Sequence, residues 1–534
     1  MTSPLPAADR HTGDSNDQAP SAGRLRAVAG FARSEAGHAA VLGLVGASMI
    51  TFGGFGSGSV RREDPLLEAL HLSWLRFGHG LILSGLIVWI GVLLMIAAWV
   101  RIGRNVRAGL VDVRELRWVI AAQTAPLLLA VPLFSRDAYS YLAQGALLRD
   151  GYDPYAVGPV ANPGVLLDNV SNVWTTTTAP YGPVSLLLGQ GITTVTGDNV
   201  IAGTMLLRLT MLPGLALMMW ALPKLARHLG GDPATALWLA VLNPLVLIHL
   251  VGGVHNELLM VGLMVAGIVL ALERRHVAGI AVIALGVAVK AMAGIALPFV
   301  VWIWMIHERE KARAKGREPA SPVMLFARTA GAGFGVFAAV FAVCSLISGV
   351  GLGWLTALQG SAKIINWLSV PTILAHIVTV STSWATGLRL GPVLEVTRAI
   401  SALVMVVALV AIWWHFRRTE KQAVLGILVA LVVIVLLSPA ALPWYYSWPL
   451  AVAAGFAMST TTLAWLVGLS TWLMLVFQPD GSIGLYSLPH VLLATFAAAV
   501  AGRSLVAVDP LRLRSVRTAK ANAPAAAVVT ATSD

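Results

Sequence analysis

Asp137 is the residue of this chain best placed to do chemistry. It stands in Phe134-Ser-Arg-Asp-Ala-Tyr139, directly after an apolar run from Trp118 to Phe134. A charge at membrane depth is expensive and by default marks function. A carboxylate at the water end of a spanning segment, roofed by a long ordered loop, suits removal of a proton from a sugar hydroxyl. The stretch it opens runs to Tyr181 and is polar and aromatic. In it Tyr139, Tyr155, Trp174, Thr177 and Tyr181 supply ring faces and hydroxyls, the groups that pack against and hydrogen-bond sugars. The competing reading of any one ring is an aromatic belt at a membrane interface. The competing reading of Asp137 is a helix-end carboxylate paired with Arg136 or Arg149.

A second polar group is His255-Asn256-Glu257, which follows Asn243-Pro and Gly252-Gly253 at the predicted outer end of a helix. Three adjacent polar side chains there point to acceptor or phosphate contacts. No second ligand set has suitable spacing, so no metal is predicted. Pro443-Trp-Tyr-Tyr-Ser-Trp-Pro449 puts Trp444 and Tyr446 at another outer helix start. They would line a lipid or sugar groove, or join the belt.

The elements that must hold these residues are membrane helices. The chain is 57% hydrophobic and only 12% charged, which fits a polytopic membrane protein and no soluble class. The net charge of +12 reads as loop asymmetry rather than as a nucleic-acid surface. Cys344 is the one cysteine, so no internal disulfide forms.

Hydropathy predicts about fourteen spans within an all-α domain, at 36–54, 79–100, 117–134, 201–222, 234–252, 258–272, 277–291, 293–306, 329–349, 393–414, 422–438, 446–459, 461–477 and 486–502. The apolar stretches 183–197 and 371–380 are read as helices lying in the outer interface. This choice puts Arg101, Arg104, Arg107, Arg114, Arg117 and the basic segment from Arg309 to Arg317 inside, as the positive-inside rule requires. Residues 1–34 and 504–534 are expected to be disordered inner tails flanking a 35–503 membrane domain. The large outer loops are 135–200 and 350–392. Within the first, 135–149 has the spacing of a short helix, stopped by Asp150-Gly151. There is no P-loop, no dinucleotide fingerprint and no clear inverted repeat.

In combination, Arg136-Asp-Ala-Tyr-Ser-Tyr-Leu, Gly151-Tyr-Asp-Pro-Tyr, Trp174-Thr-Thr-Thr-Thr-Ala-Pro-Tyr-Gly-Pro and His255-Asn-Glu resemble the actinobacterial α-(1→6)-mannosyltransferases of lipomannan and lipoarabinomannan assembly. Within that family the chain looks closest to the MptB type, with the MptA type next. The resemblance implies a GT-C fold and a polyprenyl-phosphomannose donor. It also implies a lipid-anchored mannan acceptor and a site on the extracytoplasmic face of the plasma membrane. The family's catalytic carboxylate lies in the first large external loop, which Asp137 matches.

The implied donor is β-linked and the product α-linked, so the anomeric centre inverts in one displacement. A lipid phosphate leaves readily, and no general acid is needed, unlike in glycoside hydrolysis. Positive charge on the departing phosphate helps, and Arg208, Lys290 and Lys363 are the candidates. Arg136 stands where a second acid would sit, which argues against a bound divalent metal. The reading of another class is a secondary transporter or polysaccharide flippase, which would need charged sites near the midplane or broken helices in paired repeats. Oligomeric state does not follow from the sequence.

Overall fold

The computed structural model describes residues 30–31, 33–358 and 363–510. Most of the two expected tails, and four residues of the second outer loop, fall outside the described residues. Among those described, the chain is helical, with no strand beyond two isolated bridges.

Eight helices are long and apolar enough to cross a membrane: Glu35–Ser57, Gly78–Arg107, Val200–Leu229, Ala291–Ala314, Pro322–Ser348, Leu390–His415, Glu420–Leu437 and Leu488–Val506. A ninth candidate is bent by 46° between Pro233–Ala240 and Pro244–Gly252. The other five expected spans fold as helices of 16 residues or fewer. A full crossing needs about 20 residues. Val113–Leu127 shows why one run is cut short. A capping box at Asp112 and Glu115 starts it, Pro126 sits in its last turn, and irregular, non-helical chain carries on to Arg136. The stretches expected to lie in the interface form the helices Pro183–Thr196 and Val370–Thr382. The second of these leaves Leu374, Ile377 and Val380 exposed.

The Asp137–Arg149 helix forms where the sequence spacing predicts it, and Gly151 follows it at positive φ. It crosses Pro183–Thr196 at backbone contact distance. A Cβ on Gly145 would stand 2.2 Å from the carbonyl carbon of Gly189, so only glycine permits the crossing. The start of the helix is tied to the 58–64 loop. There the Tyr139 hydroxyl donates to the Ser59 carbonyl at 2.6 Å, and the Arg136 guanidinium donates to the carbonyls of Val60 and Asn169.

The bundle has two distinct ends. One gathers basic side chains: Lys224 pairs with Glu273 at 2.9 Å, Arg274 with Glu310, and Arg104 and Arg107 bind the carbonyls of 504–507. The helix Glu257–Leu272 starts beside Asp137 and finishes at that basic end. Its 16 residues separate the two by about 24 Å.

Candidate active site

Asp137 is the first residue of its helix, and its backbone N–H is capped by the Ser135 hydroxyl at 3.1 Å. The Trp174 indole donates to one carboxylate oxygen at 3.2 Å. The His255 Nδ1 stands 3.7 Å from the other. Among the described residues no arginine or lysine pairs with Asp137. Arg136 is spent on carbonyls, and Arg149 on Asp150 and Asp198. Burial, reinforced by the nearby Glu257 charge, raises the Asp137 pKa to about 6. The side chain keeps 14% exposure and lines two cavities.

Two cavities meet at this carboxylate. The smaller, about 130 Å³, is lined by Asp137, Ser140, Gln144, Trp174, Tyr181 and Lys290, and closed by Tyr445 and Trp448. The larger, about 410 Å³, is lined by Arg136, Asp137, Trp174, Lys363, Trp444 and Asp480. Asp137 and Trp174 belong to both walls. One water-sized group needs on the order of 10–15 Å³, so the small cavity admits roughly ten, the scale of one hexose. The larger holds about three times as much.

Of the candidates read from the sequence, Asp137, Trp174, Thr177, Tyr181, Lys290, Lys363 and Trp444 line one cavity or the other. The ammonium of Lys290 pairs with Glu257 and faces the rings of Tyr445 at 5.0 Å, Tyr181 at 5.6 Å and Trp448 at 5.8 Å. Lys363 donates to the hydroxyls of Thr176 and Thr177.

The remaining candidates sit elsewhere. His255, Asn256 and Glu257 are fully buried and line neither cavity; His255 stands beside Asp137 and Glu257 pairs with Lys290. Tyr139 and Tyr155 are buried, and their hydroxyls are spent on the Ser59 and Tyr181 carbonyls. Tyr446 lines neither cavity.

Arg208 corrects the expectation of a phosphate ligand. It is buried in its span, and its guanidinium donates to the carbonyls of Leu128, Ala130, Val251 and Gly252 at 2.7, 2.7, 3.0 and 3.2 Å. These carbonyls lie at two helix ends, where the last C=O groups lack intrahelical partners. One of those segments leads into Asp137 and the other into His255. Each also passes through a strained residue, Phe134 and Val254, both near φ +60°. The one group of clustered potential metal ligands among the described residues is His307, Glu310 and Glu420, at the basic end.

Residues 40–306 match the family model of the α-(1→6)-mannopyranosyltransferase N-terminal domain, and 371–507 match that of the MptB C-terminal domain. The chain is 55% identical to α-(1→6)-mannopyranosyltransferase A of Mycobacterium tuberculosis, over 88% of this chain and 90% of that protein. It is 40% identical to the enzyme of the same name from Corynebacterium glutamicum, over 84% and 94%.

The chain belongs to the α-(1→6)-mannopyranosyltransferase family.

This mannosyltransferase is therefore a glycosyltransferase with a multi-pass membrane architecture. α-(1→6)-Mannopyranosyltransferase B of C. glutamicum is 31% identical, over 78% of this chain and 72% of that protein. The A-type relatives thus share more identity with it than this B-type one, the reverse of the order expected from the loop motifs. No solved structure matches the chain. Sequence reasoning about this mannosyltransferase missed Ser140, Gln144, Tyr445 and Trp448. Ser140 and Gln144 were findable, because they follow Asp137 at helical spacing of three and seven residues. Tyr445 and Trp448 sat in a quoted motif, but only the fold selects which rings of it face inward.

Proposed function

We propose that this enzyme moves mannose from polyprenyl-phosphomannose to the end of a lipid-anchored mannan, forming α-(1→6) linkages in lipomannan and lipoarabinomannan assembly. The observation that carries the reading is the lone carboxylate of Asp137 in the wall shared by a one-sugar cavity and a larger one. The donor mannose occupies the small cavity and the acceptor chain end the large one. The acceptor 6-hydroxyl oxygen attacks the anomeric carbon, and its proton passes to Asp137. The bond from that carbon to the phosphate oxygen breaks, and polyprenyl phosphate leaves with the electron pair. One displacement converts a β-linked donor into an α-linked product.

Lys290 supplies positive charge beside the leaving phosphate, and Glu257 holds it there. Trp174 orients the base through its indole N–H, and the His255 ring packs beside it. The chemistry balances without a metal, so transfer should survive a chelator. The basic end of the bundle supports a cytoplasmic orientation for that end and, with it, an extracytoplasmic one for the Asp137 end in a plasma membrane. The polarity concentrated at that end favours an enzyme over a transporter or flippase.

The test is transfer of mannose from polyprenyl-phosphomannose to a short α-(1→6)-mannoside by purified protein. Asp137→Asn should fold normally and lose a factor of about 10²–10⁴ in rate. Wild-type rates in that variant would remove Asp137 as the base.

A further inference from the structure

We propose that Ser140, Gln144 and Trp448 form a hydroxyl-reading subsite for the hexose that is transferred. The proposal rests on the reading above, in which the small cavity takes the donor sugar. All three side chains are buried and line that cavity. Among the described residues, the Ser140 hydroxyl, the Gln144 carbonyl oxygen and the Trp448 indole N–H have no hydrogen-bond partner. Buried polar groups are almost always paired, so three orphans around one small space mark a polar occupant.

The three are held rigidly. Asp137, Ser140 and Gln144 fall on one face of their helix. The glycine contact with Pro183–Thr196 fixes how that face is presented. Trp448 lines the same cavity from a different helix, with its ring stacked on Tyr445 at 4.5 Å.

The pattern of donors and acceptors selects the occupant. Trp448 can only donate, the Gln144 oxygen can only accept, and Ser140 can do either. A phosphate group has only acceptors to offer Gln144. An apolar chain satisfies none of the three. A sugar ring, with several O–H groups that each donate and accept, satisfies all of them. The subsite therefore recognises the hydroxyls of the donor hexose. A sugar lacking the matching hydroxyl would leave one of the three unpaired, which is how binding sites reject deoxy analogues.

The experiment compares kcat/KM of the full-length enzyme for polyprenyl-phosphomannose and its monodeoxy derivatives. Wild type should reject at least one deoxy donor by about 100-fold or more. Ser140→Ala and Gln144→Met should each shrink that ratio by about ten-fold or more for one deoxy position and spare the others. Unchanged ratios, or equal losses on every donor, would overturn the subsite. A second readout needs no turnover: the rise in melting temperature with polyprenyl-phosphomannose beyond that with polyprenyl phosphate. This sugar-dependent part should shrink in both variants, and a wild-type shift in both would also overturn the proposal. If wild type transferred no mannose yet kept a sugar-dependent shift that the variants lose, the transferase reading would fall and the subsite would stand.

Discussion

Asp137 must be ionised to accept a proton, and its pKa is raised to about 6 by burial and by Glu257. Activity should therefore fall as pH drops through about 6 and level off above 7, read as kcat/KM against pH. A limb centred near 4 would mean that the base is a solvated carboxylate elsewhere. Lys290 and Glu257 form a second testable pair. Lys290→Met leaves the fully buried Glu257 unpaired and should cost about 3–5 kcal/mol of stability. Adding Glu257→Gln should restore most of the melting temperature but not the turnover. Recovery of both would make the pair purely structural. The sequence made Asp137 legible because a charge at the end of an apolar run is costly, and the structure then removed Arg136 and Arg149 as its partners. It misread Arg208 because the partners of that residue are backbone carbonyls, which leave no trace in side-chain pattern.

At the scale of elements, Arg208 fastens the segment ending in Asp137 to the segment ending in His255. Arg208→Lys keeps the charge but loses the planar fork that reaches four carbonyls. It should lower stability by about 3 kcal/mol or more, and turnover should fall even in the fraction that stays folded. Wild-type melting in Arg208→Lys would show that the fork is dispensable. The Asp137 helix was predictable from spacing, but its crossing partner was not. Gly145 and Gly189 are ordinary glycines until the fold brings their backbones together. Hydropathy likewise counts apolar runs without knowing where a helix stops. Proline and local breaks cut five of the fourteen runs to helices of 16 residues or fewer.

The whole molecule has a basic end and a catalytic end. Cys344 is buried, and replacing it by serine gives a background for site-directed labelling. Asn172→Cys, beside the site, should react in intact cells with a membrane-impermeant thiol reagent. Lys311→Cys should react only after the cells are opened. The reverse pattern would invert the topology. Sidedness was legible from the basic loops, because charge asymmetry survives without a fold. The division of the site was not, since its walls come from segments more than 300 residues apart.

That division dictates kinetic order. Asp137 faces both chambers, and in the proposed single displacement the sugar passes directly from donor to acceptor with no covalent enzyme intermediate. Both substrates must be resident at once, in a ternary complex. Initial-rate lines drawn for one substrate at several fixed levels of the other should intersect. Parallel lines would require a mannosylated enzyme that parts from its lipid phosphate before the acceptor arrives.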